Sequence, residues 1–347
     1  MKNWIVTKDE IWFEKWNKLL LKDDKSVFLQ NIYRVKSYEK YGMDYELLLC
    51  LDNDNNIICG SANVIIKFFF FKLYICSYGP TINSNYIDQI NISNFFKKFN
   101  SRGKELRAFT SQISLLNNTS SFSEFKSYDG RVFEQIPIPK YKNRVSLKRD
   151  SIFLTKEKLI SSFLPKGRRD VKSSYRKGLI SKIPKSEKDL KIAYSCIESN
   201  ANNKGYNVRK WDEIKDFIID SVNNKMTFII TAWFGETLQG TIVLERSCNM
   251  LSYTMGGVKR NKPDLLTGYF LQSEAMLLAI NEGIDYYDIS FGGPPEVQRF
   301  KSLFNPILNE HYKTIYFVNS KIKHLIFNFA YKYLKGFIKT IVLLLKK

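Results

Sequence analysis

The sequence predicts an α+β fold in which helices flank a mixed, mostly antiparallel sheet, and it predicts this arrangement twice. Segments with strand-like and helix-like apolar spacing alternate along both halves of the chain in a similar order. The length of 347 residues also exceeds what one hydrophobic core usually serves. We therefore expect two tandem domains, at 1–148 and 149–320, followed by a C-terminal helix at 321–347.

The first half contains helical and strand-like segments around one clear turn. The turn is Asp52-Asn53-Asp54-Asn55-Asn56, whose residue types favour a hairpin connection. Runs of apolar residues predict strands at Tyr45–Leu51, Ile57–Lys67, Phe68–Tyr78 and Glu105–Ile113. Apolar residues at helical spacing predict helices at Glu10–Leu21, from Ser26 through Tyr38, and at Ile87–Asn100.

The second half follows the same plan, although no repeat is visible at the level of single residues. Helical spacing predicts helices at Pro165–Lys177, Lys188–Asn200, Asp212–Asn223 and Thr267–Glu282. Strands are predicted at Thr227–Phe234, Gln239–Arg246, Met250–Val258 and Ile284–Phe291. Gly283 is well placed to end the last of these helices.

The composition limits the classes of partner and site. The 54 Lys and Arg residues against 34 Asp and Glu give a net charge of +20. Such a charge attracts nucleic acid, anionic lipid headgroups or pyrophosphate-bearing substrates, unless a lysine-rich proteome explains it. Scattered cysteines and only two histidines predict a reducing compartment and no metal site. Early charges at Lys8, Asp9 and Glu10 argue against a signal peptide, so we expect a cytoplasmic protein.

The segment 283–304 gives the strongest indication of chemistry. It contains an acid on a short strand, a glycine turn, and basic residues next to two aromatic rings: Asp288, Gly292-Gly293, Arg299, Phe300, Lys301 and Phe304. Such groups in one place can serve acyl transfer. Lys301 would stabilise an oxyanion or hold a donor phosphate, unless it is an ordinary surface lysine. Asp288 would orient an acceptor amine or accept its proton, unless it only ties the turn.

This segment resembles the C-terminal motifs of the Fem family of tRNA-dependent aminoacyltransferases, which build peptidoglycan cross-bridges, and of the wider tandem Gcn5-related (GNAT-like) acyltransferases. The matching residues are Gly283, Tyr287-Asp288, Gly292-Gly293 and Phe300-Lys301-Ser302-Leu303-Phe304. The resemblance implies two GNAT-like domains and places Lys301 in the site. We expect catalytic roles for Lys301 and Asp288, and donor contacts at Arg299, Phe300 and Phe304.

A basic helix is predicted at 166–178. Arg168, Lys172 and Arg176 recur every four residues and line one face, while Val171, Tyr175 and Leu179 line another. The segment resembles a basic helix of Fem proteins, which implies that these three cations bind the donor. The alternative is a solvated basic face.

Two further segments indicate where an acceptor binds. The residues from Phe28 to Lys36 resemble the Fem entry motif, with Asn31 and Arg34 in place of its serine and tryptophan. The resemblance implies that Gln30 and Lys36 contact the acceptor, with Lys36 at its sugar pyrophosphate. Tyr206 and Arg209 lie where the family has a further substrate-contacting region. After residues 107–110, however, Ser111-Gln112 replaces the aspartate common in the family. Whether the first domain contributes a catalytic carboxylate therefore stays open.

The C-terminal segment 321–347 contains seven lysines and no acid. Its apolar residues recur at roughly helical spacing, at Leu325, Phe329, Leu334, Phe337, Ile341 and Leu345. This pattern is typical of an amphipathic helix on an anionic membrane surface, and the alternative is a helix packed on the protein body. We expect a location at the inner face of the cell membrane.

The loop 258–268 bears on the choice of donor. An acyl-CoA site needs a glycine-rich loop before a helix, where N–H groups hold the pyrophosphate. This loop has one glycine, at its end, and Pro263 removes an N–H group. Its lysines and arginine could instead meet RNA phosphates. The loop therefore favours an aminoacyl-tRNA donor.

Together these features predict an aminoacyltransferase that moves an amino acid from tRNA to an amine of a lipid-linked peptidoglycan precursor of the undecaprenyl pyrophosphate type. One alternative is an N-acyltransferase that uses acyl-CoA or tRNA to modify a surface-polysaccharide precursor. Another is a non-catalytic RNA- or membrane-binding module on the same fold. We expect a monomer that needs no cofactor.

Overall fold

The computed structural model describes residues 3–23, 26–116, 127–129, 131–133, 136–137, 143–260, 262–290, 292–308 and 312–333. These residues form α-helices α1 (Ile11–Leu20), α2 (Ile32–Lys36), α3 (Ile92–Glu105), α4 (Lys156–Ser162), α5 (Pro165–Arg176), α6 (Glu187–Lys204), α7 (Trp211–Asn223), α8 (Thr267–Asn281), α9 (Pro295–Ser302) and α10 (Lys321–Tyr333). The predicted α+β class is confirmed.

The strands fall into two large sheets and two small hairpins. They are β1 (Asn3–Thr7), β2 (Asp44–Leu51), β3 (Ile57–Phe68), β4 (Phe71–Cys76), β5 (Thr81–Ile82), β6 (Thr110–Leu116), β7 (Ser127–Asp129), β8 (Arg131–Phe133), β9 (Ile136–Pro137), β10 (Asn143–Ser146), β11 (Lys148–Arg149), β12 (Ile152–Phe153), β13 (Ile180–Lys182), β14 (Thr227–Phe234), β15 (Thr237–Ser247), β16 (Met250–Val258), β17 (Tyr286–Asp288), β18 (Ile307–Leu308) and β19 (Tyr312–Val318).

The chain divides into two compact units, and each consists of separate stretches of sequence. The first unit is Met1–Leu19, Tyr38–Lys140 and Glu310–Lys347, and the second is Leu20–Ser37 and Tyr141–Asn309. Three stretches therefore lie in a different unit from the domain predicted for them. The stretches 20–37 and 141–148 lie in the second unit, and β19 lies in the first, where it pairs with β6 over seven residues.

The first unit has a sheet in the order β1-β2-β3-β4-β6-β19-β7, with β5 added to β3. Helix α3 covers one face with Phe95, Phe96 and Phe99, all fully buried. The rings of Phe99 and Tyr74 on β4 stack at a centroid distance of 4.6 Å. These aromatic residues fix the helix on the sheet, since a buried aromatic pair adds to the stability from area burial.

The second unit has a sheet in the order β13-β14-β15-β16-β17-β10-β18, with helices on both faces. Neighbouring strand residues point to opposite faces. Ile230 of β14 packs in a cluster with α5 and α8, whereas Ile229 packs in a cluster with α6 and α7. The sheet is therefore buried on both sides, which is why its central strands contain long apolar runs.

The middle of this second sheet opens at one point. Strands β16 and β17 run parallel and pair only from Met250–Ser252 to Tyr286–Asp288. The pairing of β15 with β16 is irregular just beyond, between the pairs Val243–Met255 and Leu244–Tyr253. Such a bulge bends a strand and re-aims its side chains. Beyond Ser252 and Asp288 the two chains separate, and the candidate site described below lies in the gap.

A buried ion pair attaches the stretch 20–37 to the second sheet. The Arg34 Nε donates to Glu245 Oε2 at 2.7 Å, and its Nη2 bonds the other carboxylate oxygen. Glu245 is fully buried on β15, and Arg34 is 9% exposed. The Asn31 amide also donates to Ser221 Oγ at 3.2 Å.

We expect Arg34→Met to destabilise the protein by about 3–5 kcal/mol, because it leaves the buried Glu245 carboxylate without its partner. The free energy of unfolding from urea titration measures this change. The matched control is the double variant Arg34→Met with Glu245→Leu, which removes both charges and should recover most of the loss. A single variant as stable as the wild type would show that the pair is not a structural anchor.

Candidate active site

The gap between β16 and the chain after β17 is a cavity of about 390 Å³. One wall is formed by Tyr253 to Gly256, which follow the last β16 residue that pairs with β17, and the opposite wall by Ser290, Gly292 and Gly293, which follow β17. Helix α9, helix α6 and the segment after α6 close the cavity. Its lining consists of Ile197, Tyr206, Val208, Tyr253, Thr254, Met255, Gly256, Ser290, Gly292, Gly293, Val297 and Lys301. The cavity therefore contains one cation, several backbone groups and a mixed apolar wall.

Lys301 is the charged group of this cavity, and it is only 6% exposed. Its Nζ donates to Ser290 Oγ at 2.6 Å and to the Gly292 carbonyl at 3.2 Å. The Nζ also lies 6.0 Å from the centre of the Tyr253 ring. A protonated lysine has three N–H donors. Among the described residues only Ser290 and Gly292 accept from it, so one donor is left for a molecule in the cavity.

The two phenylalanines of the F-K-x-x-F motif hold Lys301 in place. Phe304 is fully buried and packs against Phe163 at 5.1 Å between ring centres. Phe300 is half-buried and contacts both Phe304 and Tyr269. Phe304 has no surface for a donor to contact, in contrast to the expected donor-binding role. Its rigid packing fixes α9 and thereby the position of the Lys301 side chain.

Burial lowers the pKa of Lys301, and the negative charge of Asp288 partly offsets this by raising it. The offset matters because the chemistry of Lys301 depends on its protonation. Burial acts on the hydroxyl of Tyr253 in the opposite sense and raises its pKa to about 12, so that group stays neutral at physiological pH.

Asp288 stabilises the turn that contains Ser290, whose hydroxyl oxygen accepts a hydrogen bond from Lys301. It is 6% exposed, and its Oδ1 accepts from the backbone N–H of Ser290 at 2.9 Å. Ser290 has a φ of +62°, a left-handed conformation that is uncommon for serine. The bond from Asp288 stabilises this conformation and so aims Ser290 Oγ at Lys301. This geometry favours the second of the two readings of Asp288, a carboxylate that ties the turn.

Of the predicted acceptor-binding residues, one lines the cavity and two lie close to it. Tyr206 lines the cavity, and its hydroxyl accepts from the Asn200 amide at 2.8 Å. Three residues further, Arg209 Nη1 donates to Ser37 Oγ at 2.8 Å, next to Lys36. Three residues of chain span at most roughly 10 Å. Tyr206, Arg209 and Lys36 are therefore close together, whereas Gln30 is fully buried and has no surface for an acceptor.

The predicted donor-binding cations lie on two helices that touch. Helix α5 is pressed against the end of α9, since a Cβ on Gly167 would lie 2.4 Å from the Leu303 carbonyl. Lys172 and Arg176 on α5 are exposed, and Arg168 is half-buried with its Nη1 on the Ser161 carbonyl. Arg299 is exposed on α9. These four cations do not line the cavity around Lys301.

Two residues of the cavity that lie next to Lys301, Ser290 and Tyr253, were not predicted from the sequence. Ser290 supplies the hydrogen bond that fixes Lys301, and Tyr253 supplies the ring beside it. Tyr253 is the residue after Ser252, the last β16 residue that pairs with β17. A sequence signal for Ser290 was its place in the strand-to-turn junction Asp288-Ile289-Ser290, where the backbone N–H of a residue two positions after an aspartate can donate to the aspartate side chain.

A second cavity, of about 570 Å³, lies beside the first along β16. It is lined by Val258, Lys259 and Arg260 at the end of β16 and by α6, which contributes Cys196, Ser199, Asn200, Asn203 and Lys204. Lys204, Lys259 and Arg260 form no ion pair with a carboxylate among the described residues. This cationic cavity is connected to the first one through the Asn200–Tyr206 hydrogen bond.

Within the described ranges, no cluster of three or more His, Cys, Asp or Glu side chains is arranged to hold a metal ion. No helix in the part of the chain that the structure describes is long and apolar enough to cross a membrane.

Comparison with known proteins identifies the fold. No protein-family model matches this chain, and no curated protein sequence matches it. Among solved structures, FemX superposes with a TM-score of 0.77 at 12% identity, covering 93% of this chain and 99% of FemX. L-PGS from Bacillus licheniformis gives 0.56 at 10% identity, with coverage of 87% and 91%. A tandem GNAT protein from the clavulanic acid biosynthesis pathway gives 0.50 at 9% identity, with coverage of 91% and 98%.

At these identities the comparisons establish the fold. The chain has the Fem-like, tandem GNAT-like fold that the sequence predicted.

We expect Asp288→Asn to lower the pKa of Lys301 further, because it removes the charge that raises it. Nuclear magnetic resonance of lysine side chains during a pH titration measures this pKa directly. Asp285→Asn is the matched control, since Asp285 is three residues away and pairs with Lys148. A Lys301 pKa that responds equally to both variants would show that Asp288 has no specific influence on it.

Proposed function

We propose that this protein is an aminoacyltransferase that moves an amino acid from aminoacyl-tRNA to an amine of a lipid-linked peptidoglycan precursor. The observation that carries the proposal is the buried Lys301, held by Ser290 and Gly292 in a cavity between separated strands, with one N–H donor left for a ligand. A preorganised and buried cation is suited to stabilising the oxyanion of an acyl transfer.

The proposed reaction is the attack of a neutral amine on the ester that links the amino acid to the tRNA ribose. The amine nitrogen forms a bond to the ester carbonyl carbon, whose oxygen becomes an oxyanion beside Lys301. The carbon–oxygen bond to the ribose then breaks, and the ribose hydroxyl receives the proton that the amine loses. The residues of the cavity accelerate this reaction mainly by aligning the two substrates.

Lys36 and Arg209 are suited to the acceptor's pyrophosphate. Both are cations, and Arg209 donates to Ser37, the residue that follows Lys36. Arginine binds phosphate oxygens with a fixed fork of donors, and lysine adds a point charge. Tyr206 and Val208 continue from Arg209 to the cavity, so an acceptor anchored at Arg209 can reach Lys301 with its amine.

Two observations favour a tRNA donor over acyl-CoA. First, the backbone N–H of Leu266, just before α8, is taken by the Asp264 carboxylate at 2.8 Å. A pyrophosphate at this helix terminus would face that negative charge. Second, the cationic cavity begins two residues beyond Gly256 of the reaction cavity, which is roughly 7 Å along a strand. In aminoacyl-tRNA one ribose separates ester and phosphate, whereas the long pantetheine arm of CoA separates them much further.

The proposal includes a location on the inner face of the cell membrane, because the acceptor is lipid-linked. Helix α10 supports this location with exposed apolar side chains, and the segment 311–347 contains no acid. The part of the predicted helix beyond Tyr333 lies outside the described residues. The basic face of α5 and Arg299 would then meet the body of the tRNA through its phosphates.

We expect purified protein to transfer a labelled amino acid from charged tRNA to a lipid-linked muropeptide precursor, and Lys301→Ala to reduce the rate about 10²–10³-fold. Treatment with RNase should abolish the transfer. Lys185→Ala is the matched control, since it removes an exposed lysine of the same unit, outside the cavity.

Other outcomes of this assay assign a different function. Transfer from acetyl-CoA alone would replace the proposed donor and make the protein a GNAT-type acyltransferase. Transfer to a surface-polysaccharide precursor, with none to the muropeptide, would replace the proposed acceptor. RNA binding with no transfer to either would identify a non-catalytic module.

We expect Lys36→Ala and Arg209→Ala each to raise the KM for the acceptor about 10- to 100-fold with little change in kcat, because each removes a charged hydrogen bond to the pyrophosphate. Steady-state kinetics with varied acceptor measure both constants. An acceptor analogue without the pyrophosphate is the control, and with it the variants should match the wild type. A fall in kcat at unchanged KM would contradict the assignment.

A further inference from the structure

Two phenylalanines protrude from the tip of a hairpin in the first unit. Lys67 pairs with Lys72 and Phe68 with Phe71, so that Phe69 and Phe70 form the two-residue turn between β3 and β4. Phe69 is 73% exposed and Phe70 is 66% exposed. Phe69 has a φ of +49°, a conformation that two-residue hairpin turns usually give to glycine or asparagine. Large rings therefore occupy a turn for which small or polar residues are suited.

Helix α10 lies next to this hairpin and is apolar on two sides. One side packs on the unit: Phe327 contacts Phe71 and Phe109, at 5.5 and 5.2 Å between ring centres, and His324 bonds Thr110. The other side is exposed and consists of Ile322, Leu325, Ile326, Phe329 and Tyr333, which recur at helical spacing. The Phe71–Phe327 contact thus places helix α10 next to the hairpin.

The surroundings of these apolar residues are cationic. The sequence contains no Asp or Glu between Asp54 and Asp88, and none after Glu310. Lys67 and Lys72 flank the hairpin tip, and Lys321 and Lys323 lie at the start of α10. The acid near Lys67 is Asp44, which already binds Lys8.

We propose that the hairpin tip Phe69-Phe70 and the exposed side of α10 together contact an anionic lipid bilayer, with the two rings inserted between headgroups. The aromatic and aliphatic side chains are suited to contact the acyl chains, and the lysines beside them are suited to bind the anionic headgroups. The inference deepens the membrane location proposed above, and it adds the hairpin as a second point of contact besides the helix.

The charges favour a bilayer over a second copy of the chain as the occupant of this surface. A two-fold symmetric dimer brings the same patch of both subunits together. Lysines 67, 72, 321 and 323 of both subunits would then lie in one interface, where Asp44, the acid near Lys67, already binds Lys8, and like charges repel. Anionic headgroups instead complement all four.

Co-sedimentation with vesicles tests the inference. We expect the full-length protein to bind vesicles of phosphatidylglycerol and phosphatidylcholine, and to bind pure phosphatidylcholine weakly. The double variant Phe69→Asn, Phe70→Ser should weaken binding about tenfold or more, because it removes two rings from the bilayer. Asparagine tolerates the positive φ at residue 69, so the turn is retained. Leu325→Glu on α10 should weaken binding as well.

Phe234→Ser is the matched control, because Phe234 is an exposed hairpin phenylalanine of the other unit, beside Glu236. It should bind vesicles as the wild type does. Three results would overturn the inference: a wild type that ignores phosphatidylglycerol, a Phe69→Asn, Phe70→Ser variant that binds as tightly as the wild type, or a wild-type dimer in light scattering that this variant converts to a monomer.

The same variant separates this inference from the proposed function. Amino-acid transfer by Phe69→Asn, Phe70→Ser to a water-soluble acceptor should equal that of the wild type, since neither ring lines the cavity around Lys301. With a lipid-presented acceptor its KM should rise. If neither the wild type nor the variant transfers an amino acid while vesicle binding still depends on the two rings, the proposed function fails and the membrane contact stands.

Discussion

The separation of β16 from β17 is the constraint on which the candidate site depends. The two strands pair over three residues and part after Ser252 and Asp288. Where the strands pair, β17 is held firmly, because Tyr287 is fully buried and donates to Gln272 of α8 at 2.6 Å. After Ser252, the irregularity in the pairing of β15 and β16 directs β16 away from the chain that follows β17. A cavity inside a continuous sheet would leave backbone groups unpaired, so the opening is tolerated where a ligand can take their place.

Lys301 depends on this opening and on the rings around it. Burying an ammonium group is costly unless hydrogen bonds and an opposite charge compensate. Ser290 and Gly292 provide the hydrogen bonds, and Asp288 provides the charge. The rings of Phe300, Phe304 and Tyr269 hold the helix that carries the lysine. The F-K-x-x-F pattern is therefore one structural device: the rings fix the helix, and the helix fixes the position of Nζ.

The sequence predicted what local pattern determines and missed what distant contacts determine. The bounds of β14 and β16 agree with the prediction, because both are apolar runs between clear turns. Lys301 and the glycine turn were proposed together from the sequence because they are close along the chain. Ser290 was missed because its importance comes from the left-handed turn that brings it to Lys301. The stretch 20–37 was assigned to the other domain because its partner Glu245 is more than two hundred residues away, and no local signal marks a buried arginine as an anchor.

In the proposed reaction, two amines in one cavity must hold different protonation states. The attacking amine has to be neutral, whereas Lys301 stabilises an oxyanion only as a cation. Burial alone would favour the neutral form of both. Asp288 opposes this for Lys301, since its charge raises the lysine pKa. An amine that enters the cavity meets the Lys301 cation at close range, and like charge favours its neutral form. In the proposed reaction the charge of Asp288 thus counters the effect of burial on the Lys301 pKa, and a charged Lys301 promotes deprotonation of the nucleophile.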